Sequence, residues 1–156
     1  MIRCLSLALM AAGLAASAAA ECAVTATTIT TPFVPPPPYR SANAPRILYG
    51  TEDLWTEIAP SYWTAQGRNL SAKLVFWRVG FDWKQEPLPL LSVKAQRLDS
   101  PAPVIWMPTA HAVKLREDDS PAGMAMMTGI TFPTPGCWEI SANYRGKMLS
   151  YVVAVN

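Results

Sequence analysis

From residue 47 onward the apolar side chains fall mostly at every second position. Leu54, Thr56 and Ile58 alternate with Trp55 and Glu57, and Leu74 and Phe76 alternate with Val75 and Trp77. The same spacing returns in Leu91, Val93 and Ala95, and in Met124, Met126, Thr128, Ile130 and Phe132. It closes the chain in Trp138, Ile140, Ala142 and Tyr144, then in Leu149, Tyr151, Val153 and Val155. Successive side chains of an extended strand point to opposite faces, so this period builds strands with one face in a core. All 15 prolines lie beyond residue 20, where they punctuate strands and exclude long helices. The last two runs predict a hairpin, Cys137–Asn143 and Met148–Val155, joined through Tyr144-Arg145-Gly146-Lys147 with Gly146 supplying a positive φ. Roughly six or seven short strands at this spacing predict an all-β sandwich.

The first twenty residues do not belong to that pattern. Arg3 precedes an apolar stretch from Leu5 to Leu14, and Ser17-Ala18-Ala19-Ala20 places small residues before Glu21. A basic start, a short apolar run and a small-residue site form a cleavable secretory signal. The run is short for a membrane span, which takes about 20 apolar residues. Glu21 stands between the small residues and Cys22, so Cys22 reads as the second mature residue and not as a lipid-bearing first one. The expected location is secreted or periplasmic, with no membrane span after cleavage.

Cleavage removes Cys4 and leaves Cys22 and Cys137. In a compartment that permits disulfides they form the one available internal pair. Two free thiols or an intermolecular bridge are the competing readings. The expected layout is a signal peptide over 1–20, a Thr/Pro-rich segment over 21–46 and one sandwich domain over 47–156. Within the middle segment, Thr27 to Thr31 is rich in β-branched residues and reads as the start of a strand. Pro35 to Pro38 reads as a polyproline II run, either a stiff spacer or edge segment, or a recognition peptide for an aromatic groove.

The segment Phe132-Pro133-Thr134-Pro135-Gly136-Cys137-Trp138-Glu139-Ile140 resembles a pattern in small secreted bacterial proteins whose closing hairpin opens on "PGCWE". Lys73 to Trp83, with Glu86-Pro87 and Arg97-Leu98-Asp99, resembles a second block of the same group. The resemblance covers residues 48–156 and implies an immunoglobulin-like β-sandwich of about seven strands in an exported protein. It implies no catalytic residue. The cysteine placement departs from antibody-type domains, which pair two facing strands with a tryptophan between them in sequence.

Little in the sequence points to catalysis. His111 is the single histidine, so one chain cannot build a multi-histidine metal site. A triad would need His111 beside a serine and a carboxylate such as Asp118 or Asp119, and no G-x-S-x-G is present. Glu117-Asp118-Asp119 lacks the spaced carboxylates of a calcium loop and reads as a solvated turn. Asn69-Leu70-Ser71 matches the glycosylation triplet but reads as chance, since the resemblance is to bacterial proteins. The formal charge is +2 before the signal leaves, with no Lys/Arg cluster, which argues against nucleic acid.

The six tryptophans carry the strongest binding signal. Trp138 follows Cys137 on an apolar face and reads as core. Trp55 and Trp63 flank Pro60, and Trp83 lies in a turn-like stretch, so these three are the candidate ligand-contact aromatics. The expected function is therefore a non-catalytic extracytoplasmic protein that binds or scaffolds at the bacterial cell envelope, without cofactor or metal. Its expected partner is an envelope protein or a glycan. One alternative is a carbohydrate- or peptidoglycan-binding module using Trp55, Trp63 and Trp83. A second is a small hydrolase centred on His111. N-terminal sequencing of the exported protein should begin at Glu21; a chain that retains Arg3 would overturn the cleavage reading.

Overall fold

The computed structural model describes residues 22–39, 47–58, 70–116 and 120–156. Within the described residues nine strands form two antiparallel sheets: β1 Leu48–Thr51, β2 Leu54–Glu57, β3 Ser71–Trp77, β4 Leu91–Arg97, β5 Ile105–Trp106, β6 His111–Lys114, β7 Met124–Thr131, β8 Gly136–Tyr144 and β9 Lys147–Val155. One sheet has the order β1-β2-β3-β7-β6 and the other β5-β4-β8-β9. Without β1, these are the A-B-E-D and C′-C-F-G orders of immunoglobulin-type sandwiches. The alternating runs of the sequence, roughly six or seven expected strands, account for six of these, and the other three are β1 and the short edge strands β5 and β6.

The alternation places the core where the pattern predicts it. Phe76 and Met126 from one sheet meet Ala95, Trp138, Ile140 and Ala142 from the other, all fully buried. Trp138 packs on Phe132 at 5.2 Å between ring centres. Its indole N–H donates to the Thr134 carbonyl at 3.2 Å, which satisfies the buried polar group. The closing hairpin turns through Arg145 and Gly146, with φ of 51° and 80°. Positive φ at both central residues twists the two strands in the sense a tight hairpin requires.

The N-terminal arm is part of the sandwich. Cys22 and Cys137 are joined by a disulfide, with Cα atoms 5.5 Å apart and a sequence separation of 115. Arg97 frames this joint. Its guanidinium bonds Asp99 at 2.6 Å and Thr134 at 2.9 Å. A side chain at Gly136 would collide with it. The strand expected to begin at Thr27 is instead a single helical turn, α1, Thr25–Thr28. The hydroxyls of Thr27 and Thr28 donate back to the carbonyls of Val24 and Thr25 at 2.8 and 3.0 Å, a local bond that competes with extended pairing. Thr25 Oγ1 in turn accepts from the Val152 N–H at 2.7 Å, capping part of the open edge of β9.

Glu86 ties the loop after β3 to the closing hairpin. Its carboxylate accepts from the Tyr144 hydroxyl at 2.5 Å, from Arg145 at 3.1 Å and from the Leu90 N–H at 3.3 Å. Burial works to raise its pKa, but the hydrogen bonds from Tyr144 and Leu90 and the charge of Arg145 outweigh it and hold the value below normal. The Tyr144 phenol is raised, by burial first and by Glu86 next.

Two predictions follow from these joints. Cys137→Ser should lower the thermal midpoint by several degrees, because opening a loop of this length removes about 4–5 kcal/mol of unfolded-state constraint; an unchanged midpoint would show that the bond is not structural. Because the folded pKa of Glu86 is depressed, its stabilisation is present above the unfolded pKa and is lost as pH falls through the folded one. Glu86→Gln should therefore lower the melting temperature at pH 7, and the gap from the native protein should close on acidification below about pH 4; a gap independent of pH would exclude this linkage.

Candidate functional site

The two outer faces of the sandwich differ in cover. The outer face of the five-stranded sheet carries Trp55, Trp77 and Ala125, which form a second small core. The arm roofs it. Phe33 and Tyr39 lie 5.5 and 5.6 Å from Trp55, ring centre to ring centre, and Pro35 is buried between them in sequence. The Phe33 N–H donates to the Leu48 carbonyl at 2.8 Å, and the Tyr39 hydroxyl accepts from the Gly80 N–H at 2.5 Å. The proline run is thus neither a free spacer nor a continuous polyproline II helix. It turns between Pro36 and Tyr39, where the Tyr39 N–H reaches the Pro36 carbonyl at 2.9 Å.

This roof changes the standing of the aromatics singled out from sequence. Trp55 is only 2% exposed and is a packing residue, because the arm covers the face it points to. It does line a cleft of about 180 Å³ with Tyr39, Trp77, Leu115 and Arg116. Trp83 lies in the expected turn but packs partly buried against the main core, its indole N–H buried without a protein partner. Lys84 Nζ stands 5.7 Å from its ring centre. Trp63 lies outside the described residues. Of the three, neither described residue presents an open ring.

The open ring belongs to Trp106, which sequence reasoning passed over. It is 66% exposed on β5, at the edge of the four-stranded sheet. Lys94, its neighbour on β4, places Nζ 5.9 Å from the ring centre. A shallow depression lies on each side. One, about 340 Å³, is shared with Pro89, Leu90 and Thr109. Leu90 is 75% exposed, so a leucine and a tryptophan face solvent across the same hollow. The other, about 450 Å³, runs from Trp106 to Lys73, Gly129 and Thr131 on the other sheet. A large exposed aromatic beside an exposed aliphatic is the composition of a contact surface. The sequence signal was weak, since Val104 to Met107 sits between Pro103 and Pro108 with no alternation to mark a strand.

His111 heads β6 with its side chain exposed. Among the described residues it makes no hydrogen bond or ion pair with a hydroxyl or carboxylate, so no triad is assembled around it. No group of three or more His, Cys, Asp or Glu suited to a metal occurs among the described residues. Residues 117–119, the acidic run, lie outside them. No described helix is long and apolar enough to cross a membrane.

No family model and no curated protein matches the sequence. Among solved structures, the chain is similar to one described as a "putative lipoprotein" from Bacillus anthracis, at 12% identity and a TM-score of 0.38. The alignment covers 79% of this chain and 98% of that one.

Proposed function

We propose that this chain is a non-catalytic, extracytoplasmic binding protein of the bacterial cell envelope, secreted or periplasmic, that meets its partner through the edge bearing Trp106. The observation that carries the reading is the exposure of that one ring between two hollows, while the described tryptophans Trp55, Trp77 and Trp138 are buried as packing. A tryptophan left in water at a sheet edge loses favourable burial, and interface cores are where such rings recover it. The compartment is supported by the leader-like first twenty residues together with the Cys22–Cys137 bond, a combination that suits an oxidising environment.

The glycan reading survives in altered form. A platform of Trp55, Trp63 and Trp83 has no support from the two described members, whereas Trp106 with Lys94 beside it offers a ring face and a cation to a sugar. The test is direct binding of the mature protein to periplasmic proteins and to peptidoglycan, compared with Trp106→Ala. Loss of a central aromatic should cost at least about 2 kcal/mol, or roughly thirtyfold in affinity. Undiminished binding by a folded Trp106→Ala protein would remove this surface from the function.

A further inference from the structure

The hollow between Trp106 and the five-stranded sheet ends on a stretch of strand that has lost its neighbour. Strand β7 runs from Met124 to Thr131, but β6 pairs only with Met124 to Met127. Beyond Met127 the outer side of β7 has no strand beside it among the described residues, and the hydrogen-bond phase identifies which groups are left. The Phe132 N–H donates to the Leu70 carbonyl at 2.9 Å, in the register that pairs Ser71 with Thr131. Bonding partners alternate along an antiparallel ladder, so Ile130 and Thr128 also face β3, while Gly129 and Thr131 face away. The β6 side agrees: the Leu115 N–H donates to Gly123, two residues from Ala125 and four from Met127. Met127 therefore faces β6, and Gly129 and Thr131 continue the same outward row.

The chain cannot fill that row itself in the region before His111. The Met107 N–H is committed to Val93 in the other sheet, at 2.9 Å. Pro108 has no N–H, and its carbonyl takes the Thr128 hydroxyl at 2.8 Å. The backbone of Gly129 and Thr131 therefore opens on the hollow of about 450 Å³ that Trp106 walls on its far side. The space above Gly129 is empty, since a methyl group placed there would touch nothing within 4 Å.

We propose that this row is a strand-addition site for an extended peptide carrying acidic side chains, which continues the line of β6 past His111 and lays a side chain against Trp106. The proposal rests on the binding reading given above and names its partner class. Unpaired backbone N–H and C=O groups in a row are complemented best by another backbone, as in peptide recognition at sheet edges. The sign of charge follows from the surroundings: Lys73 lines the hollow, Lys94 lies against the Trp106 ring, and none of the described residues lining the hollow is a carboxylate.

The probe is a panel of alternating heptapeptides with Glu at every second position, beside Lys counterparts and counterparts N-methylated at alternate amides. The acidic peptides should bind the mature protein, shift tryptophan emission and slow hydrogen exchange at the Gly129 and Thr131 amides. Lys replacement or alternate N-methylation should each weaken binding at least tenfold. Thr131→Pro removes an outward N–H and the side-chain bond to Ser71 but takes no backbone bond from β3, and a folded variant should lose binding in the same measure, whereas Thr131→Val, which loses only the Ser71 bond, should keep it. No binding by any acidic peptide, or binding without protection of those two amides, overturns the proposal. If Trp106→Ala still abolishes capture of envelope material in that case, the strand-addition site fails while the Trp106 surface stands; if it does not, both fail.

Discussion

Trp55 and Thr56 are neighbours in β2, point to opposite faces of the sheet, and are 2% and 1% exposed. A strand buried on both sides needs cover on both sides, and the second sheet supplies only one. The N-terminal arm supplies the other. Phe33, Pro35 and Tyr39 lie over Trp55 and Trp77, so the arm takes the place of a third layer. Its path is fixed at its start by Cys22 and Thr25 on the C-terminal hairpin, and at its end by the Leu48 carbonyl and Gly80. Without that roof, two indole rings and several aliphatic side chains would face water as one patch.

The same asymmetry locates the surface left for a partner. One sheet spends its outer face on the arm. The other keeps Ser92, Met148 and Ser150 exposed, with Trp106 at its edge. Trp106 stands where the chain leaves one sheet for the other, a crossing that Pro108 makes and that leaves the outer side of the far half of β7 without a neighbour among the described residues. An exposed aromatic and an incomplete strand edge thus arise from a single backbone event.

Long strands were legible in the sequence because their alternation is set by burial on one face. Residues 71–77, 91–97, 124–131 and 136–155 follow it, and the Arg145-Gly146 turn was marked by its glycine. What was not legible has specific causes. Strands β1, β5 and β6 hold four, two and four residues, too few to repeat a pattern. The threonine run has the composition of a strand, yet its hydroxyls bond locally and close a helical turn. Trp55 looked available because the residues that cover it lie some twenty positions earlier, in a stretch whose proline content suggests extension and not docking. Trp106 was hidden for the opposite reason. Its exposure depends on where a crossover leaves the sheet edge, which is a property of the assembled sandwich.

The bond between Cys22 and Cys137 also imposes an order on assembly. The arm is made first, but the strands that receive it are made last: its disulfide partner opens β8, and the amide it caps belongs to Val152 in β9. With the two cysteines 115 positions apart, the start of the arm has nothing to hold until almost the whole chain exists. Contacts this distant in sequence form late and slowly. Until then the arm is held only at its Phe33–Tyr39 end, by Leu48, Trp55 and Gly80, so the growing protein passes through a stage in which the roof is tethered at one end and Cys22 is unpaired.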